Sequence, residues 1–317
     1  MNKIIKNNGE DIFRFLIPEN NDILSNMNGI DLQELLILLD DYNLEYRELL
    51  GIDKNITFGF EIECEYSNKR NIKYGIENFL KNDKWIVKDD VSLKYGSEIN
   101  SPILKDKKKS WEELNLICDV LNRNALIGNN SGGHIHIGSS ILSNKIDLWD
   151  NYILLWLLYE NVILRFTNGE FLNERSSRKK YACSLMNYYF ENYKKLNKQE
   201  AKVSDYLELL KKGKYYAVNF DKIEEENIGK YVKNSTIEFR LPNGSLEPVI
   251  WQNNFNFFVS LLERIKSKIF DRDVFDKRFY DFKPISEELY NEIFLNQALE
   301  LCDLVFTNNF DKMFSKL

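Results

Sequence analysis

The chain has only two histidines, four cysteines, five prolines and 14 glycines in 317 residues, and each scarcity closes off a class of protein. The cysteines (Cys64, Cys118, Cys183 and Cys302) lie far apart with no C-x-x-C spacing, which argues against a disulfide framework or a structural zinc site and fits a reducing, cytoplasmic setting. No Pro/Gly-rich linker, low-complexity tract or internal repeat divides the chain, so one compact α+β unit is expected over two domains. The longest apolar stretch, around Tyr152 to Leu158, soon meets Glu160 and Arg165, too early for a membrane span, and the N-terminus MNKIIKNNGEDIF has no apolar run of signal-peptide length. Cations are in deficit: 43 Lys and Arg against 49 Asp and Glu leave a net charge of −6, which disfavours a nucleic-acid surface. H-E-x-x-H, the P-loop pattern G-x-x-x-x-G-K-[ST] and G-x-G-x-x-G are all missing, so a bound nucleotide would be held by metal ions and not by a glycine-rich loop.

What is present is ample core material, with 44% hydrophobic residues including 21 Phe and 17 Tyr. Helical spacing of apolar residues predicts helices over Asp31 to Leu50, Ile72 to Leu80, Ile146 to Phe166 (the central buried helix), about Glu200 to Lys212, Ile250 to Ile269 and near Glu287 to Leu304. Another is expected to start at Ser110, whose spacing to Glu113 is that of a capping box, and to end near Asn124. Arg175 to Met186 reads as a loop, and its basic run RSSRKK is either solvated or an anion-binding loop.

The strands carry the chemistry. Both histidines, His134 and His136, lie in NNSGGHIHIGSS, at alternate positions that face one side of a sheet. In ITFGFEIECEY the apolar Phe58, Phe60, Ile62 and Cys64 alternate with Gly59, Glu61, Glu63 and Glu65. A row of carboxylates on one face is either an edge strand protected from aggregation or one wall of a cation site. Glu98 lies on a further strand, Ser97 to Asn100, and Tyr215 to Phe220 and Ser235 to Leu241 read as two more, the second presenting Glu238 and Arg240. A largely antiparallel sheet with helices on its apolar face would pool these groups on the other. Clustered carboxylates with an occasional imidazole suit Mg²⁺ or Mn²⁺, and such sites with an arginine serve above all phosphoryl transfer.

FGFEIECE, DVSLKYGSEINSP, NNSGGHIHIG and TIEFRLPNG, in this order and spacing, resemble the amidoligases, relatives of glutamine synthetase and glutamate-cysteine ligase. The similarity spans roughly Ile56 to Arg264. It implies a glutamine synthetase-like fold over 56–270; outside the resemblance, the apolar spacing reads as a helical extension over 1–55 and a C-terminal helical tail over 271–317 packed on the same unit. It implies an enzyme that uses ATP and Mg²⁺ (or Mn²⁺) to join a small-molecule or peptide carboxylate to an amine through an acyl phosphate. Carried over by motif, Glu61 and Glu63 would bind separate metal ions, with Glu98, His134 and Glu238 as further ligands. His136 would contact the nucleotide phosphates, and Arg240 would stabilise the transferring phosphoryl group, with Glu63 and Glu238 also catalytic. Asp90 stands where family members have an acid before Ser-Leu. Arg178, Lys94 and Asn219 are candidates for substrate or nucleotide contacts that no motif fixes.

Nucleic acid and membrane are not expected partners, and a homo-oligomer stays open. Three other readings compete: a non-catalytic metal- or nucleotide-binding protein with the same ligands, a cupin-like metalloenzyme, and a metal-dependent nuclease. The cupin pattern wants a glutamate about four residues after the second histidine, where Ser139, Ser140 and Ile141 follow instead. The acidic balance argues against the nuclease.

Overall fold

Alternation of apolar and polar side chains from Thr57 onward makes the first strand of a computed structural model that describes residues 53, 55–80, 84–168, 178–266, 272–281 and 293–306. The helix expected over Asp31 to Leu50 lies outside these residues. In chain order the fold runs β1 (Thr57–Cys64), α1 (Lys69–Leu80), β2 (Ile86–Asp90), β3 (Gly96–Asn100), β4 (Leu104–Lys105), α2 (Lys108–Asn122) and β5 (Gly133–Gly138). It continues with α3 (Ile146–Asn168), α4 (Arg178–Tyr181), α5 (Met186–Tyr193), α6 (Val203–Leu210), β6 (Val218–Asn219), β7 (Thr236–Phe239), α7 (Pro248–Arg264), α8 (Arg272–Asp281) and α9 (Ile293–Val305).

All the described strand pairs are antiparallel, in the order β2-β3-β1-β5-β7-β6, with β4 on the end of β1. Strand β1 is therefore interior, hydrogen-bonded to β3 on one side and β5 on the other. This removes the edge-strand reading of its glutamates, because an interior strand needs no charges to block pairing.

The apolar face is covered by aromatic residues on helices. Phe58 stacks on Trp111 of α2 at 5.2 Å and meets Phe255 of α7 at 4.1 Å, Phe60 lies edge-on to Trp251 of α7, and Phe239 stacks on Phe258 at 4.0 Å. Each such ring, fully buried, contributes on the order of 2–3 kcal/mol through the area it removes from water. Gly133 is required by this packing: a Cβ there would lie 2.5 Å from the Trp251 ring.

Helix α3 is buried on most of its circumference. Its Asp150 accepts hydrogen bonds from Tyr193 (2.6 Å) on α5 and Tyr206 (3.0 Å) on α6, tying those helices to it. Phe275 of α8 and Leu301 and Val305 of α9 complete the same core.

Several expected details differ. Helix α2 begins at Lys108, with Lys107 at its N-cap and no side-chain cap, so Ser110 lies within the first turn and there is no capping box. Glu113 instead accepts a hydrogen bond from the Trp85 indole at 3.5 Å. The stretch read as a loop contains the one-turn helix α4 and leads directly into α5, which lacks a long enough apolar period to be seen in the sequence. Helix α6 is confined to eight residues, and Gly213 (φ +112) takes the left-handed turn after it. Strand β6 is two residues long because only Val218 and Asn219 pair with β7.

Candidate functional site

Strand register builds the site. Across β1 and β3, Glu63 faces Glu98; across β1 and β5, Glu61 faces His134. His136 faces Glu238 across β5 and β7, and Glu238 faces Asn219 across β7 and β6. Directly paired residues share a face, so five neighbouring strands present these side chains on the side opposite the aromatic core.

His134 lies at the centre. Its Nδ1 is 2.9 Å from Glu61 Oε2 and 3.6 Å from Glu238 Oε1, and its Nε2 is 3.4 Å from Glu63 Oε1. His136 Nε2 approaches Glu61 Oε1 at 3.2 Å without hydrogen-bond geometry, while its Nδ1 is 3.2 Å from the Thr236 hydroxyl. Arg240 forms an ion pair with Glu238, donates through Nε to the Tyr181 carbonyl at 3.3 Å, and brings Nη1 to 3.5 Å from His134 Nδ1. The backbone N–H of Gly132 donates to Glu63 Oε2 at 2.6 Å, so the Gly132-Gly133 pair that precedes the histidines also orients a carboxylate.

The charges are set by these contacts. Burial works against ionisation of Glu61, but the His134 hydrogen bond and the close approach of both imidazoles outweigh it and hold the carboxyl well below the usual range. Glu238 is likewise lowered: burial opposes, and the Arg240, His134 and His136 charges prevail. Glu98 goes the other way, raised first by burial and then by the Glu61 charge, against the Asn100 hydrogen bond and Lys88. Lys88 reaches it at only 3.5 Å.

Donor atoms of Glu61, His136 and Glu238 lie within 4.8 Å of one another, and so do those of Glu63, Asp90 and Glu98. Both sets are dominated by carboxylate oxygen, the donor type that suits hard divalent cations. His134 stands between the two sets. Two cavities meet at Glu61. The larger, about 290 Å³, is lined by Glu61, Glu63, Asp90, Ser92, Glu98, Asn130, His134, Tyr181, Lys214, Tyr215 and Arg240. The other, about 200 Å³, takes in Glu61, His136, Asn100, Lys222, Tyr231, Lys233 and Ser235.

Of the residues singled out in the sequence, Glu61, Glu63, Glu98, His134, His136, Glu238, Arg240 and Asp90 converge here. Asn219 is present in a supporting position, its amide donating to Glu238 Oε2 at 2.9 Å. Lys94 does not line either cavity; its ammonium lies 5.2 Å above the Tyr66 ring. Arg178 opens α4, and its side chain lies outside the described part. Glu65, the last acid of the β1 row, accepts from Asn130 Nδ2 and the Lys94 backbone N–H, both at 3.1 Å, and so braces two loops. Tyr181, Lys214 and Tyr215 were not foreseen as site residues: Tyr181 ends the one-turn helix α4, and Lys214 and Tyr215 lie ahead of β6, which starts at Val218 and not at Tyr215 as expected, with no motif to mark them.

A family model described as "Putative amidoligase enzyme" matches residues 76–262, which leaves β1 and its two glutamates ahead of the matched span. A search of curated proteins returns no match. Among solved structures, one titled "Crystal structure of novel glutamine synthase homolog" is similar at 9% identity and a TM-score of 0.42, over 82% of this chain. The present chain spans 65% of that protein's length. No described helix is long and apolar enough to cross a membrane.

Proposed function

The chain belongs to the amidoligase family, and on that premise we propose that it is an ATP-dependent ligase of glutamine synthetase-like fold that condenses a carboxylate with an amine. The observation that carries the reading is the register of strands β2, β3, β1, β5 and β7, which gathers four glutamates, two histidines and an aspartate, with Arg240 just past the end of β7, between two cavities. ATP bound with Mg²⁺ or Mn²⁺ would supply the phosphoryl group that turns the carboxylate into an acyl phosphate, which the amine opens to an amide with release of phosphate.

The residues fit that cargo. Glu61, His136 and Glu238 would hold one ion, and Glu63, Asp90 and Glu98 a second, with His134 able to serve either. The smaller cavity suits the nucleotide: Lys222 and Lys233 offer charge for phosphates, Tyr231 offers a ring face, and the buried Ser235 hydroxyl has no protein hydrogen-bond partner among the described residues. The larger cavity then takes the carboxylate and the amine. Arg240 pairs with Glu238 of the first set and lines the larger cavity with Glu63, Asp90 and Glu98, and it is held at Nε by the Tyr181 carbonyl, so its fork is oriented before any ligand arrives. Asn219 fixes the rotamer of Glu238 from behind.

Incubation with ATP, Mg²⁺ and pooled amino acids and acidic peptides should yield ADP, phosphate and a condensed product. Glu63→Ala and Arg240→Ala should each abolish ADP release, and Glu63→Ala should also weaken Mn²⁺ binding followed by water-proton relaxation. Turnover that survives both substitutions would sink the site assignment. Metal-dependent ligand affinity without ADP release would favour the non-catalytic reading.

A further inference from the structure

The basic run at Arg175 to Lys180 opens a longer feature. From Arg178 to Tyr216 ten Lys and Arg stand against four Asp and Glu, a net of +6 within a chain whose total is −6. Nine of the ten are lysines. The strip starts at the larger cavity: Lys214 and Tyr215 line it with Tyr181, the two tyrosine rings are 6.3 Å apart, and Lys180 lies 4.8 Å over Tyr181. It continues outward through Lys212, whose ammonium is 4.1 Å above Tyr188 of α5, to Lys194 over Phe190 and Lys198 over Tyr193.

Three properties say what this strip fits. The ammonium groups are available: among the described residues none of Lys180, Lys194, Lys198, Lys212 and Lys214 forms an ion pair, whereas Lys211 is engaged by Glu224 at 3.6 Å. The rings beneath the outer lysines are not available, since Phe190 is 8% exposed and Tyr193 fully buried. Bases of a single-stranded nucleic acid need open ring faces on which to stack, and these are covered. The cations are also lysines, point charges that pair with single carboxylates, and not the arginine forks that recognise phosphates bidentately. Acidic side chains spaced along a flexible chain match such a row.

We propose that the carboxylate substrate is an acidic polypeptide, docked along the Lys180–Lys198–Lys214 strip while one of its carboxylates enters the larger cavity. This rests on the ligase reading for the fate of that carboxylate, but the docking itself is independently measurable. Single exposed ion pairs are weak and screened, so several must act together and the binding must fall steeply with salt.

The test is fluorescence anisotropy of fluorescein-labelled decaglutamate titrated with the full chain, at low and at physiological salt, alongside Mn²⁺ binding by water-proton relaxation. Decaglutamate should bind far more tightly than free glutamate competes. The triple charge reversal Lys180→Glu, Lys194→Glu, Lys198→Glu, confined to exposed positions outside both cavities, should weaken it on the order of tenfold or more, with Mn²⁺ binding and melting temperature unchanged. Equal affinity of variant and wild type overturns the proposal, as does an RNA decamer that binds more tightly than decaglutamate at the same salt. Intact decaglutamate binding with no Mn²⁺ binding would support the docking strip and refute the ligase reading instead.

Discussion

Glu160 is the buried charge most exposed to test. It lies inside α3 with no solvent access, and four donors converge on its carboxylate: the Trp156 indole (2.8 Å), the Ser184 hydroxyl (2.5 Å) and the backbone N–H groups of Leu185 (2.6 Å) and Met186 (2.8 Å). It therefore caps the start of α5 from another helix, and holds the segment that leads back to Tyr181 and its contact with Arg240. Glu160→Ala would leave those donors unsatisfied in a dry site, at about 1–3 kcal/mol each, offset in part by relief of carboxylate desolvation. A net loss of about 3–5 kcal/mol follows, which in a unit of this size lowers the melting temperature by roughly 6–20 °C at about 2–4 °C per kcal/mol. Burial outweighs the hydrogen bonds and pushes the Glu160 carboxyl up. A group with a raised folded pKa stabilises the fold fully below its unfolded value, about 4.3 for glutamate, and loses that contribution as the pH rises through the folded value. Glu160→Gln does not titrate, so its deficit against the wild type should shrink as the pH rises above about 4.3. Thermal unfolding by circular dichroism across this range decides the matter. A loss under about 1 kcal/mol for the alanine variant, or a glutamine deficit that widens with pH, would refute the argument.

Gly133→Ala should cost about 1–3 kcal/mol, since the added Cβ would meet the Trp251 ring at 2.5 Å, and tryptophan fluorescence should report the displaced indole. Glu98→Gln removes a carboxyl that burial and the Glu61 charge disfavour, so the metal-free protein should become more stable by about 0.5–1 kcal/mol while the rise in melting temperature produced by Mn²⁺ shrinks. A metal-free protein destabilised by that change would speak against a cation between Glu63 and Glu98.

How much of this was legible in the sequence follows from which forces leave a local trace. Period-2 alternation marked β1, β3, β5 and β7 and separated the polar face from the core, because burial against Trp111, Trp251 and Phe255 requires it. The long helices α3 and α7 were equally plain from their apolar spacing. Helix α5 was not, because its first turn is satisfied by Glu160, 26 positions before Met186, and no nearby residue announces the cap. The Ser110–Glu113 pattern failed for the converse reason: a local capping signal lost to a helix start two residues earlier, where tertiary packing of Trp111 fixes the register.

The site was readable as a list of side chains but not as an arrangement, and the difference is strand order. Glu61 and Glu63 alone fit a protected edge as well as a cation site; only the pairing of β1 with both β3 and β5 makes them interior, where like charges repel unless something positive lies among them. That arrangement is held by the opposite face of the same sheet. Sliding β5 by one residue against β1 would turn His134 and His136 into the aromatic core and Ile135 and Ile137 out of it. The register is fixed by the close fit of Gly133 under Trp251 and by Phe58 and Phe60 against α2 and α7. Packing that touches no polar group therefore sets the distances among His134, Glu61 and Glu63, and a core substitution that loosens β5 should disturb cation binding before it unfolds the chain.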